Sequence, residues 1–449
     1  MRFVHTADWQ LGMTRYFLNG EAQPRYSAAR RDAVAGIGPL ALDTGAEFVV
    51  VAGDVFEDNQ LAPRDVSQSL EAMRAIGIPV YLLPGNHDPL DAASVYTSTL
   101  FTAECPDNVT VLDRPGVHDV RRGLQIVAAP WRSKKPTSDL VSEVLDGLSA
   151  DGVTRIVVGH GGVDIFEPDK DKPSLIRLAA LEAAIERGAV HYIALGDKHS
   201  RTQVGATGRI WYSGSPEVTN YDDIEPDPGH VLLVDIDEDD GRRPVRVGAR
   251  RVGRWRLVTL CRTVDSRRDV ADLDINLDLM PDKERTVVRL GLSGSLTVTD
   301  KAALDACLDK YARLFAALVP WDRQTDIAVI PADGEFDDLG IGGFAAAAVD
   351  ELVSTARSDG ADADDARAAL ALLLRLVDRG DESLARSGGT TRAKRRGTTW
   401  GSGYALDPDV RRAQRGGLRQ RVNRSAVDQQ VAVGPVGLRL RTAAWIENA

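Results

Sequence analysis

The chain has 449 residues, 43% hydrophobic and 27% charged, with a formal net charge of −11 and a pI of about 5.3. That length points to two or three globular domains, and the acidic balance gives no global sign of nucleic-acid binding while leaving room for a local basic groove. Cys105, Cys261 and Cys307 are far apart and form no CxxC, which argues against disulfides or a zinc knuckle and fits a reducing cytoplasmic setting.

The first residues, MRFVHTADWQ, lack a basic segment followed by an apolar run, so no signal peptide is expected. No apolar stretch approaches the roughly 18–20 residues that span a bilayer, so no membrane partner is expected. No GxxxxGK[ST] occurs, so the chain carries no P-loop of its own.

From Met1 to about Asp237 short β-branched runs alternate with helical spacing. Strands are predicted at Phe3–His5, Phe48–Ala52, Val80–Leu83, Val109–Leu112, Leu124–Ala128, Ile156–Val158, Tyr192–Leu195, Ile210–Tyr212 and Val231–Ile236. Helices are predicted at Ala28–Leu42, Asp65–Ile76, Thr137–Leu148 and Ser174–Arg187. Alternation of this kind is the mark of a layered α/β fold. Residues 1–237 form the first predicted domain, closed by the turn Asp237–Arg243.

A small α+β domain is predicted over 244–335, with strands Trp255–Cys261, Thr286–Leu292 and Asp326–Ile330 and a helix Lys301–Leu318. After a Gly- and Asp-rich linker, a helical extension over 344–380 contains the predicted helices Phe344–Arg357 and Asp364–Arg379. The second is apolar almost all round and must be buried against something. Residues 386–449 hold thirteen Lys or Arg against four Asp or Glu. Disorder is expected there; this tail either binds DNA nonspecifically or is a solvated appendage.

Five polar motifs fall at strand ends, in order: ADWQ (Asp8, Gln10), GDVF (Gly53–Phe56), GNHD (Gly85–Asp88), GHGG (Gly159–Gly162) and GDKH (Gly196–His199). In open α/β sheets that edge is where ligands bind. In an extended segment residues i and i+2 point the same way, so Asp8 with Gln10, and Asp197 with His199, are expected to face one point. Any one motif is weak, since a lone Asp after a strand often caps a helix; five in order are strong.

Their order and spacing resemble the calcineurin-like metallophosphoesterases, whose pattern is DxH, GDxxD/E, GNHD, GH and GHxH. Within that superfamily HTADWQLG, VVVAGDVFEDNQLAP, VYLLPGNHD and YSGSPE most resemble the SbcD-type DNA-repair exonuclease subunits. The resemblance covers about residues 1–335 well, 336–380 loosely, and does not reach the tail. It implies a four-layer α/β/β/α sandwich with a capping domain and C-terminal helices. The implied function is DNA phosphodiester hydrolysis in double-strand-break repair, with an SbcC-type coiled-coil ATPase as partner and a homodimer as the assembly. The helix 364–379 would dock on that ATPase, or else pack on the chain's own cap.

Carried onto this chain, the pattern implies two divalent metal ions bridged by Asp54. Asp8, Gln10 and His199 complete one set of ligands, and Asn86, His160 and Asp197 the other. Two such ions clamp a phosphodiester and acidify a water. His87 is implied as the acid that assists the leaving oxygen, as suits an imidazole titrating near neutrality; Asp88 orients that ring or its loop. Two positions depart from the pattern, Gln10 and Asp197 each standing where the family has histidine. Both exchange nitrogen for oxygen, which favours harder ions, Mn²⁺ first and Mg²⁺ second. The alternatives are a phosphoesterase for small nucleotides or diesters, and a noncatalytic scaffold with a decayed site.

Other residues have plainer readings. His5 is expected to be a satisfied core histidine, and His118 and His230 structural or solvated. His191 is structural or supports a ligand. Trp9 should point away from the ligands and pack. Arg15, Tyr16, Phe17 and Arg25, and Arg132, Lys134 and Lys135, are either nucleic-acid backbone contacts or solvated loop residues.

Overall fold

In the computed structural model the described residues are 1–330, 344–356 and a few positions between 362 and 370. Most of the helix expected over 364–379, and all of the tail 386–449, lie outside them.

The chain first lays down β1 (Arg2–Thr6), β2 (Val49–Val51), β3 (Val80–Leu82) and β4 (Val109–Val111). A second sheet follows: β5 (Gly116–Arg121), β6 (Leu124–Ala128), β7 (Thr154–His160), β8 (Tyr192–Gly196), β9 (Thr202–Val204) and β10 (Ile210–Tyr212). The chain then returns to the first sheet with β11 (His230–Ile236) and β12 (Val245–Arg251). The sheet orders are β12-β11-β1-β2-β3-β4 and β5-β6-β7-β8-β10-β9.

Alternate residues of each strand face alternate layers. Phe3, Phe48 and Val50 meet Ile126, Tyr192 and Ala194 of the other sheet in a buried central layer. Val4, Val49 and Val51 face outward onto Val34, Ile37, Leu70 and Met73, carried by α1 (Ala22–Ala35), α2 (Ile37–Thr44) and α3 (Pro63–Arg74). After the short α4 (Thr99–Glu104), α5 (Leu140–Leu145) and α6 (Leu178–Glu186) cover the outer face of the second sheet through Val141, Leu145 and Leu181. The fold is the four-layer α/β/β/α sandwich that the motif resemblance implies.

Three strands of these two sheets lie outside the expected set: β5, β9 and β12. Each lies at the edge of its sheet, where one side of the strand is open and side chains are half-exposed. β12 pairs with β11 over seven residues, Val245 to Arg251, so the first sheet runs past the boundary expected at 244. The helix expected over Ala28–Leu42 is two, α1 and α2, parted at Gly36. Pro39 lacks the N–H that would continue the first helix.

The cap begins with β13 (Arg256–Thr263) and α7 (Arg267–Leu279), then β14 (Thr286–Thr297), α8 (Val298–Ala312), β15 (Ala317–Pro320) and β16 (Asp326–Ile330). All its strand pairs are parallel. The helix expected over Lys301–Leu318 stops at Ala312, because the apolar run after it is β15; periodicity alone cannot separate a short buried strand from a helix. The helix α9 (Phe344–Ala356) matches its expected position. No helix among the described residues is long and apolar enough to cross a membrane.

Cap and sandwich share a core. Met13, Leu18 and Tyr26 pack with Val218, Tyr221, Trp255, Leu257 and Val287. Arg289 of β14 lies over the Tyr221 ring at 4.1 Å and the Trp321 ring at 4.0 Å, and its Nη2 bonds Asp223 at 2.7 and 2.9 Å.

Candidate metal centre

All five motifs follow the carboxyl ends of parallel strands: Asp8 and Gln10 after β1, Asp54 after β2, Asn86 and His87 after β3, His160 ending β7, and Asp197 and His199 after β8. The loops after β1 and β2 travel together. Asp8 N–H donates to Gly53 O (3.0 Å) and Gln10 N–H to Asp54 O (2.9 Å).

The way these side chains converge differs from the expectation of strand alternation. Asp8, Gln10, Asp54 and Asp197 all have left-handed backbones, with φ of 54°, 42°, 52° and 102°. Such conformations cost about 1–3 kcal/mol each and persist where surrounding structure enforces them, typically at functional sites. Close approach is enforced as well. A Cβ on Gly53, itself at φ +94°, would lie 2.2 Å from His160 Nδ1, and one on Gly85 2.2 Å from Asp54 Oδ1.

Asp8, Asp54 and His160 each offer a ligand atom within 4.8 Å of the others. Around them, His160 Nε2 lies 2.7 Å from Asn86 Oδ1, 3.3 Å from Asp54 Oδ2 and 3.8 Å from Asp197 Oδ1. His199 Nε2 lies 3.9 Å from Asp8 Oδ1 and 3.4 Å from Gln10 Nε2. The seven sequence-predicted ligands are thus brought together, with Asp54 beside the His160 group and within reach of Asp8.

These residues fit a divalent metal. Ligands held about 2.0–2.2 Å from one ion sit roughly 3–4 Å from each other, the spacing found here. Gln10 Oε1 is buried without a hydrogen-bond partner, a state that costs about 1–3 kcal/mol unless something fills it. Turning the amide end over end exchanges its two atoms and aims the oxygen at the space beside His199 Nε2.

The histidines are oriented by their second nitrogens, as metal-binding imidazoles are. His160 Nδ1–H donates to Ala52 O at 2.8 Å. His199 Nδ1 faces Glu225 Oε1 at 2.7 Å and Thr219 Oγ1 at 2.6 Å. Glu225 in turn accepts the backbone N–H groups of Thr219 (2.9 Å) and Asn220 (2.8 Å). Glu225 carries no motif and lies 26 residues from His199, so sequence reading passed over it.

Electrostatics bear out a crowded anionic pocket. Burial pushes the Asp8 carboxyl up to about 7, with Asp54 and Asp197 adding to the rise and His199 and His160 opposing it. Burial works against the charge of His160, yet the carboxylates of Asp54, Asp8 and Asp197 together outweigh it and hold the ring well above the usual imidazole range. Burial likewise opposes His199, but Glu225 and Asp8 raise it to about 9. Cations are what this cluster favours.

His87 stands at the mouth, its side chain 37% exposed and its Nε2 4.0 Å from Asp54 Oδ2. Its Nδ1–H donates to Glu57 O at 2.7 Å, and its backbone N–H donates to Asp54 Oδ1 at 2.9 Å. Asp88 does not set that ring. It is fully buried and accepts from Gly85 N–H (2.7 Å), Phe56 N–H (3.0 Å) and Tyr96 O–H (2.6 Å), so it pins the loop that carries Asn86 and His87.

The remaining candidates resolve as follows. His5 is a satisfied core residue between the sheets, bonded to Tyr192 Oη (3.0 Å) and Leu195 O (3.3 Å); burial lowers it to about 3. His191 bonds the Arg155 N–H and Arg243, outside the centre. Trp9 is buried and donates to Thr6 Oγ1 at 2.9 Å. Buried Arg30, another residue without a motif, donates to Trp9 O at 2.7 and 3.1 Å and so braces the Asp8–Gln10 turn. Glu217 of YSGSPE faces away from the centre and accepts from the Arg254 and Trp255 N–H groups, while Ser215 Oγ donates to Asp8 O.

Comparison with known proteins agrees with this geometry. Over 363 residues, 71% of this chain and 87% of the relative, the chain is 27% identical to the SbcD component of the nuclease SbcCD of Rhodobacter capsulatus. It is 28% identical over 234 residues to the DNA double-strand break repair protein Mre11 of Halobacterium salinarum, covering 50% of this chain and 54% of that one. A shorter match, 35% identical over 91 residues, covers 20% of this chain and 19% of the Mre11 of Archaeoglobus fulgidus. The calcineurin-like phosphoesterase model matches residues 1–229, more than half of the sequence, and the chain belongs to that family, whose members use divalent metals.

Proposed function

We propose that this chain is a metal-dependent DNA phosphodiesterase, the nuclease subunit of an SbcCD-like complex. The observation that carries the reading is the cluster around Asp54, with His87 at its open edge. Asp8, Gln10, Asp54 and His199 would hold one ion, and Asp54, Asn86, His160 and Asp197 the other. The oxygen-rich donor set suits Mn²⁺, then Mg²⁺.

When bound, such ions supply Lewis-acid polarisation of a phosphoryl group and acidify a water. The chain's own residues do the rest. Asp54 is held by the His87 N–H and by the His160 side chain, which fixes it between the two groups of ligands. His160 and His199 keep their Nε2 atoms turned inward, because Ala52 O and Glu225 occupy their Nδ1 positions. His87, anchored through Glu57 O, presents Nε2 at the mouth, where it can hold a proton for the departing oxygen.

The 27% identity to an SbcD protein over most of that protein's length supports DNA as the substrate. That relative is one subunit of SbcCD, which supports a second subunit as partner; a coiled-coil ATPase in that role and a homodimer as assembly are what the motif resemblance implies. The cap from Arg256 and the helical region from Phe344 would then be the parts that meet DNA and partner.

The test is hydrolysis of linear duplex DNA beside bis(p-nitrophenyl) phosphate across Mg²⁺, Mn²⁺ and Zn²⁺, with and without the product of any neighbouring ATPase gene. DNA cleavage that is best in Mn²⁺ and lost in Asp54→Asn is expected. Cleavage of the small diester but never of DNA would make the chain a small-molecule phosphoesterase. No hydrolysis under any condition would make it a scaffold.

A further inference from the structure

At the seam between β12 and the cap lies a second feature, remote in sequence from all five motifs. A cavity of about 470 Å³ is lined by Arg251, Arg254, Arg256 and Arg285, with Gly253 and one acid, Asp282. Four arginines thus line one concavity beside a single acidic residue, on a chain of net charge −11.

Three of the four have no carboxylate within ion-pair distance among the described residues. Arg285 has Glu284 at 3.8 Å, and Glu284 is itself drawn toward Arg25 at 3.7 Å. Like charges held together without counter-charges repel, and an anionic ligand relieves that repulsion.

The arrangement is built into the fold. Trp255 and Leu257 are buried in the core shared by sandwich and cap. In an extended segment this turns Arg254 and Arg256 to the opposite, exposed side together. Buried Glu217 fixes that backbone by accepting the N–H groups of Arg254 (2.9 Å) and Trp255 (3.0 Å). Gly253 lets the chain pass close: a Cβ there would meet Gly229 Cα and Pro216 O at 2.7 Å. Arg251 ends β12, and Arg285 follows the Asp282 turn, whose φ is +48°.

We propose that this cavity is a second anion site, which takes backbone phosphates of a polynucleotide outside the metal centre. Arginine is the side chain best suited to phosphate oxygens, through paired N–H donors. A neighbouring concavity that also touches Arg251 and Arg256 carries three carboxylates, Asp222, Glu225 and Asp227, which confine an anion to the arginine-lined side. The polynucleotide as ligand rests on the function proposed above; the anion site itself does not.

The experiment measures duplex DNA binding by fluorescence anisotropy against salt, in EDTA, for the full chain and for the triple variant Arg251→Ala, Arg254→Ala, Arg256→Ala. Each phosphate contact contributes about 0.9 to the slope of log K against log salt. The variant is expected to bind more weakly, with a slope smaller by about 2–3, while bis(p-nitrophenyl) phosphate hydrolysis and Tm stay at wild-type values. Replacing the same three positions by lysine should restore most of the slope. The basic tail is unchanged in all variants, so its contribution cancels.

Unchanged affinity and slope in the triple alanine variant, with wild type binding DNA, would overturn this site and leave the proposed function intact. Displacement of DNA by inorganic phosphate at an equal concentration of phosphate groups would make it a small-anion pocket and overturn the polynucleotide assignment. A wild-type chain that binds no DNA at low salt would overturn both readings.

Discussion

The two histidines of the proposed metal centre are held by different kinds of partner. His160 ends β7 in the middle of the second sheet, and its Nδ1 is tied to a main-chain carbonyl, Ala52 O, of the facing sheet. His199 sits past the end of β8, and its Nδ1 is tied to a side chain, Glu225. Glu225 belongs to the loop 213–227, which also meets the cap: Asp222 N–H donates to Leu257 O, and Asp223 binds Arg289. The His160 half is therefore set by the sandwich alone. The His199 half is set by a loop whose other face belongs to the cap, and it also contains the partnerless Gln10 Oε1. The difference teaches that one half is held entirely from within the sandwich, while the other is tied through its loop to the cap as well.

The strongest way to break this comparison is to remove what the halves share. Asp54→Asn should abolish ion binding at both, with calorimetry showing no Mn²⁺ uptake and phosphodiester hydrolysis at background; retention of one ion would mean the halves do not share Asp54. His87→Ala should leave ion binding intact and lower kcat by about 10²–10⁴-fold, measured on bis(p-nitrophenyl) phosphate. Glu225→Gln keeps the shape but weakens the acceptor at His199. It should cost about 10–100-fold in affinity for one ion only, and two equally weakened ions would refute the separation of the halves. The smallest effect is expected from Gln10→His, which returns an imidazole to the His199 half. It should move the Mn²⁺ to Zn²⁺ preference toward Zn²⁺ with the rate little changed, read by competition calorimetry.

Much of the centre was legible because its chemistry is local. Asp54, Asn86, His87, His160 and His199 each sit in a short motif next to a glycine, and strand ends in an α/β sheet converge. What lay beyond reach was how they converge. Asp8 and Gln10 meet through left-handed turns and not through strand alternation, and Asp88 serves its loop through Tyr96 O–H, a contact eight residues away. Three edge strands were also hidden: β12 alternates Val245, Val247 and Ala249 with Arg246, Gly248 and Arg250, but it lies beyond a turn that reads as a boundary, so its membership in the first sheet appears only from its pairing.

The sequence by itself determined the layered α/β architecture, the order of the five motifs, the core role of His5 and the family, because apolar periodicity and motif chemistry act over a few residues. Only the tertiary structure decided that Glu225 orients His199, that Arg30 braces the Asp8–Gln10 turn, and that four arginines from β12 and the cap share one cavity. Each of those depends on contacts between segments tens to hundreds of residues apart, and such contacts form only when burial of the shared cores brings the segments together.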